Sequence, residues 1–144
     1  MTQVLSLILI GLLVAIAGLH AYWGLHGRWP AKDETTLSGM VIGRTPDGRM
    51  PPPIACFAVA TAIMIGVGLV VTVSFGDTPG LSQRFIVAAY GVFAAVFVLR
   101  GLAGYFPALW AGSAGTPFVT LNTRYYSPLC LAIGTGLFVN LVGR

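Results

Sequence analysis

The sequence predicts an all-α protein, a four-helix transmembrane bundle whose long first loop holds a short β-hairpin. Three observations predict it. Four apolar runs each approach the roughly 20 residues that a helix needs to cross a hydrocarbon core of about 30 Å. The chain is 56% hydrophobic and only 8% charged, with a mean hydropathy of +0.86, whereas a soluble domain carries about a quarter of its residues charged. Finally, all four acids (Asp33, Glu34, Asp47 and Asp77) fall between the apolar runs. The 144 residues fit one domain, 1–144, with no room for a second.

The first span is Val4–Trp23. It resembles a secretory hydrophobic segment, and Ala15-Ile16-Ala17 offers a cleavage pattern, but no Lys or Arg precedes it and apolar character continues to Trp23. It is read as a retained span. Loop one, Gly24–Pro52, carries Arg28, Lys32, Arg44 and Arg49. Within it Met40–Met50 reads as two extended pieces around the turn tripeptide Pro46-Asp47-Gly48, the expected hairpin. The second span is Pro53–Phe75, followed by a tight turn over Gly76–Gln83. The third is Arg84–Phe106, and Pro107–Arg124 reads as a glycine- and proline-punctuated loop holding Trp110. The fourth is Tyr125–Leu141, the shortest. Backbone groups in lipid must be paired within the segment, so helices are the form expected of all four. Small residues four apart (Gly11/Ala15, Ala62/Gly66, Gly91/Ala95 and Ala132/Gly136) mark expected helix contacts.

The formal charge of +4 comes from eight Lys and Arg against four acids. The basic residues sit at the ends of apolar segments and form no stripe, which argues against nucleic acid. Loops one and three share one side and hold Arg28, Lys32, Arg44, Arg49 and Arg124, against Arg84 and Arg144 on the other. The positive-inside rule then places loops one and three in the cytoplasm and both termini outside. Two cysteines, Cys56 and Cys130, lack CxxC spacing and read as small buried hydrophobes.

The chemically informative residues gather where spans one and three end and span four begins, while the opposite end offers only Asp77, Arg84 and ordinary turn residues. His20 shares a helix face with Ile16, Trp23 and Gly24. It is either a site residue facing the bundle or a neutral imidazole bonded to a backbone carbonyl or tyrosine. Arg100 has no carboxylate in any span, so it snorkels to the interface, bonds to carbonyls, Asn122 or a tyrosine, or holds an anionic group. Gly101 and Gly104 beside it favour close approach of another helix. The aromatic set around Tyr22, Trp23, Trp29, Tyr105, Trp110 and Tyr126 reads mostly as an interfacial belt. His20 and His26 point about 240° apart on one helix, so they form no chelating pair, and no metal site is expected. No nucleophile elbow, P-loop, dinucleotide fingerprint or HExxH is present.

Three stretches together, LHAYWGLHGRWP (Leu19–Pro30), FVLRGLAGYF (Phe97–Phe106) and FVTLNTRYYSPLCLAIG (Phe118–Gly134), resemble a bacterial family of small four-span membrane proteins of unknown function. In that family an L-H-x-Y-W motif closes the first span, an arginine closes the third and a Y-S-P-L-C-L-like motif opens the fourth. The resemblance covers essentially the whole chain. It implies a multi-pass protein of the bacterial inner membrane, with no activity to carry over. Its characteristic positions here are His20, Tyr22, Trp23, Arg100, Tyr126, Ser127, Pro128 and Leu129. Some members carry an acid where Asn122 stands, so a carboxylate–Arg100 pair is not available from that position here.

Three classes of function follow. The favoured one binds a small molecule or lipid at the loop-one/loop-three end, through His20, Tyr22, Trp23, Arg100, Asn122 and Tyr126. The second is a membrane enzyme in which His20 is the acid/base and Arg100 holds an anion. The third is a non-catalytic subunit docking on a partner membrane protein or a second copy. No cofactor is specified by any motif, and transport lacks an intramembrane acid and an inverted repeat.

Overall fold

A computed structural model describes residues 2–76 and 81–143. These residues are helical or irregular, with no strand among them. Among the described residues six α-helices occur: α1 (Thr2–Gly24), α2 (Glu34–Val41), α3 (Pro53–Phe75), α4 (Leu81–Ala103), α5 (Pro117–Leu121) and α6 (Ser127–Val142). A 3₁₀ helix, Pro107–Ser113, follows α4, and a π-helical turn, Asn122–Tyr126, joins α5 to α6. Four stretches of the described residues are long and apolar enough to cross a membrane: Gln3–Gly24, Pro53–Phe75, Ser82–Ala103 and Pro117–Val142. They mark a multi-pass membrane protein.

The long helices form a bundle in which α1 packs chiefly on α3 and α4 on α6, with smaller α3–α4 and α1–α6 contacts. Its centre is apolar: Leu9, Leu13 and Ala17 of α1 meet Ile63, Val67 and Val70 of α3, Tyr90 and Ala94 of α4, and Ile133 and Leu137 of α6. The outward faces are apolar as well, with Leu7, Ile8, Ile65, Val92 and Val139 exposed. A helix apolar all round suits hydrocarbon and not water.

Glycines set the α4–α6 approach. A Cβ on Gly134 would lie 2.9 Å from the Val98 amide nitrogen and 3.2 Å from the Ala94 carbonyl oxygen. One on Gly104 would run into the Ser127 hydroxyl. The expected contact faces are only partly used: Gly66 meets Phe93 and Gly136 meets Leu9, but Gly11 and Gly91 have nothing within 4 Å.

Loop one differs from the expected hairpin. In its place α2 begins at Asp33, whose carboxylate accepts the Thr36 amide at 2.8 Å and the Thr36 hydroxyl at 2.9 Å. This N-cap satisfies amides that a helix start leaves open. The same bonds hold the Asp33 carboxyl below its ordinary pKa. Leu37 anchors the helix by burial. The helix stops where the Ile42 and Gly43 amides both donate to the Ser38 carbonyl, with Gly43 at φ +100, a left-handed exit that glycine adopts readily. Met40–Met50 therefore starts as helix. The Pro46-Asp47-Gly48 turn itself is present, with Gly48 at φ +64 and its amide donating to Thr45.

The later boundaries also move. The third span runs Leu81–Ala103, not Arg84–Phe106, because Phe106 is held extended before Pro107. The expected loop Pro107–Arg124 is mostly helical, and the fourth span starts eight residues before Tyr125, at Pro117. Proline suits the first turn of a helix, and Thr116 before it is extended. Residues 77–80 of the expected Gly76–Gln83 turn, with Asp77, lie outside the described residues.

The π turn has a local cause. Pro128 has no N–H for the Arg124 carbonyl and its ring crowds that oxygen, which would kink a plain α-helix. Widening the turn relieves the crowding: the Ser127 amide reaches back five residues to the Asn122 carbonyl.

Candidate functional site

Loops one and three are clasped together. The α2 helix packs on α5, the Arg44 amide donates to Ser113 Oγ at 3.2 Å, and Arg44 Nη2 donates to the Ala114 carbonyl at 3.3 Å. The Tyr126 hydroxyl, from the π turn, donates to the Met40 carbonyl at 3.2 Å. Phe118 is buried between these elements, edge-on to Trp110 with ring centres 5.1 Å apart and 6.3 Å from Tyr126.

Behind this aromatic layer lies Arg100, near the end of α4. Its Nη2 donates to Asn122 Oδ1 at 2.8 Å, and the guanidinium sits 5.2 Å from the centre of the Trp110 ring. That geometry suits a cation–π contact. Trp110 is fixed in turn by its indole N–H, which donates to the Ala103 carbonyl at 2.8 Å. Asn122, only 1% exposed, also accepts from Ser127 Oγ at 3.4 Å. Two buried donors, Arg100 Nη1 and Asn122 Nδ2, have no hydrogen-bond partner. Each such orphan costs on the order of 1–3 kcal/mol. Among the described residues Arg100 has no carboxylate partner.

Asn122 forms part of the wall of a cleft of about 540 Å³ between the α4 end, the 3₁₀ helix and α5. Gly104, Tyr105, Pro107, Trp110 and Val119 complete most of its wall. The volume is in the range of small-molecule sites, which are mostly apolar with a few placed polar groups. A larger hollow of about 710 Å³ lies along α1, lined by Leu12, Ile16, Leu19, Tyr22, Trp29 and Leu129. It holds no unpartnered buried donor.

Residues 13–137 match the family described as "Protein of unknown function (DUF3995)". The chain belongs to this family. No curated protein and no solved structure matches the chain. The DUF3995 match takes in all three of the motif-bearing stretches.

The six ligand-binding candidates expected from the sequence divide into two groups. Arg100, Asn122 and Tyr126 are gathered at the cleft end. His20, Tyr22 and Trp23 form a separate cluster at the end of α1. There His20 Nδ1 lies 2.9 Å from its own helix's Ile16 carbonyl, and its ring is edge-on to Trp23 at 5.2 Å. Trp23 Nε1 donates to the Trp29 carbonyl at 2.9 Å, and the Trp29 amide to the Tyr22 hydroxyl at 3.4 Å. This cluster ties the start of loop one back to the helix. Among the described residues no hydrogen bond or ring contact links it to Arg100. The backbone contact of His20 uses Nδ1 alone.

Trp110 and Gly104 line the cleft, although sequence reasoning left them among the belt and the helix contacts. Nothing in their spacing tied them to Asn122. Cys56 and Cys130 are free thiols, and no group of three or more His, Cys, Asp or Glu is clustered among the described residues.

The opposite end also holds more than expected. Four polar side chains, one from each long helix, meet there. Asn140 Nδ2 donates to Ser6 Oγ at 2.7 Å and Ser6 Oγ donates to Ser74 Oγ at 2.9 Å. Asn140 Oδ1 accepts from Ser74 Oγ at 3.2 Å and from the Tyr90 hydroxyl at 2.8 Å. Tyr90 and Asn140 are both buried. With its polar atoms mutually bonded, this knot looks structural.

Proposed function

We propose that this protein binds a small molecule or a lipid in the cleft at its loop-one/loop-three end, with Asn122, Trp110 and Arg100 as the central residues. One observation carries the reading: the cleft has a buried asparagine in its wall whose amide nitrogen has no partner. Natural interiors leave few such groups unpaired, and a ligand acceptor group would satisfy it. The π turn that presents Asn122 is of a kind often found at functional sites. His20, Tyr22 and Trp23 serve this end by fixing loop one.

The same reading sets the protein in a bacterial inner membrane as a four-helix bundle. Arg28, Lys32, Arg44, Arg49 and Arg124 support loops one and three, and hence the cleft, on the cytoplasmic side.

A native mass spectrum of protein purified in mild detergent tests the binding. Ala111 lies on the exposed wall of the cleft, so Ala111→Trp fills it without disturbing the bundle core. The wild type and Gly91→Ala, at a position with open space around it, should carry a discrete added mass that Ala111→Trp lacks. A bare chain in all three, each equally folded, would overturn the proposal.

A further inference from the structure

Resting on that reading, we infer that the ligand is an oxyanion, a carboxylate or phosphate, carried on an apolar body. Both unpartnered groups at the site are donors, Arg100 Nη1 and Asn122 Nδ2, so the missing partner is an acceptor. They flank the existing bond from Arg100 Nη2 to Asn122 Oδ1, which leaves two N–H groups on adjacent side chains for one multi-oxygen group. A guanidinium matches carboxylate or phosphate oxygens better than any neutral acceptor.

The charge balance points the same way. Arg100 sits in a spanning helix with no acid in any of the four spans, and Asn122 supplies only a neutral oxygen. Arg100 is half-buried with its Nη1 closed to solvent, and a cation partly withdrawn from water gains from a nearby anion. The ligand would supply the missing negative charge. Apart from Asn122 and Thr123 the cleft wall is mainly apolar, with Tyr105, Pro107, Ala108, Trp110 and Val119, so the anion's carrier is apolar too.

Access runs through Trp110. Its ring lies over the guanidinium, and both orphan nitrogens are closed to solvent. The indole must lift for an oxyanion to reach Arg100, so tryptophan emission reports occupancy.

The test uses the full chain in nanodiscs of zwitterionic phosphatidylcholine, titrated with dodecanoate, dodecyl phosphate, dodecanol and inorganic phosphate. Dodecanoate or dodecyl phosphate should give a saturable change in tryptophan emission that is lost in Trp110→Phe. Dodecanol should give none. Arg100→Gln should weaken anion binding by about tenfold to a hundredfold, as loss of a charged hydrogen bond does, and Arg100→Lys by less. Saturation by inorganic phosphate as readily as by dodecyl phosphate would assign a free anion as the source and refute the apolar body. Response to the alkyl anions alone would assign a lipid-type headgroup. If dodecanol saturates the signal as tightly as dodecanoate, the oxyanion inference falls while the binding cleft stands. If no probe saturates, and no added mass is seen on the wild type, both fall. Should Arg100→Gln fail to fold, the dodecanoate–dodecanol comparison on the wild type decides the question alone.

Discussion

At the scale of single residues, two asparagines show how differently one side chain is used at the two ends of the bundle. Asn140 has its carbonyl oxygen bonded to Ser74 and Tyr90 and its nitrogen to Ser6. Asn122 has a filled oxygen and an empty nitrogen. The first arrangement stabilises and the second waits for a partner. Hydrogen bonds between membrane helices average about 0.6 kcal/mol each. Asn140→Ala, which removes three, should therefore destabilise the protein by roughly 1–2 kcal/mol in a denaturing-detergent titration. Loss within error of zero would show that the knot is replaced by other pairings. Asn122 was legible from sequence as a partner for Arg100, whereas the role of Asn140 was not. Ser6, Ser74, Tyr90 and Asn140 are isolated polar residues spread over 134 positions of chain, and only the folded bundle gives them a common meeting point. Arg100 was legible because a cation beside an uninterrupted apolar run is conspicuous wherever it falls.

At the scale of elements, the apolar runs are the strong signal and their ends are the weak one. Pro53–Phe75 is found with the boundaries expected from hydropathy. The fourth span is not, because Asn122, Thr123 and Arg124 broke the apolar run and masked a helix that continues through them. The prolines at 117 and 128 were the available clue, since one opens a helix and the other forces a wide turn. The helix in loop one was hidden in the same way: Asp33 and Thr36 are a capping pair three residues apart, but the glycines and Pro46 farther on drew the reading toward a hairpin. Packing between elements is set by glycine in a manner that spacing alone does not reveal. Gly134 faces the α4 backbone, which cannot yield as a side-chain tip does, whereas Gly91 faces open space. Gly134→Ala should thus lose about 1–3 kcal/mol through overpacking. Gly91→Ala should be neutral or gain about 0.5–1 kcal/mol by removing a flexible residue from a helix. Equal effects, measured by the same detergent titration, would contradict the α4–α6 contact described.

At the scale of the whole molecule, the four long helices carry an asymmetry from one end to the other. One end is closed by a mutually bonded polar knot. The other is covered by α2, the 3₁₀ helix and α5, which clasp each other through Arg44 and Tyr126 and leave a cleft with unpaired donors. The proposed orientation makes this a difference between the two sides of the membrane. A reporter active only in the cytoplasm should give signal when inserted at Asp47 in the exposed loop-one turn and stay silent when fused after Arg144. The reverse pattern would invert the topology and place the cleft outside. Sequence charge gave this orientation its basis, while the asymmetry of polar pairing needed the fold.

The π turn at Asn122–Tyr126 amounts to one residue more than a regular helix would use between α5 and α6. Each residue of an α-helix turns the chain by about 100°. Relative to an uninterrupted helix, α5 is therefore rotated by nearly a third of a revolution against α6. That phase shift is what lets Phe118 point under loop one while Ile133 and Leu137, on the same continuous rod, point into the bundle. A chain one residue shorter here would lose the alignment of Asn122 with Arg100. The extra residue acts as a fixed key, indexing the cap of the molecule to its barrel.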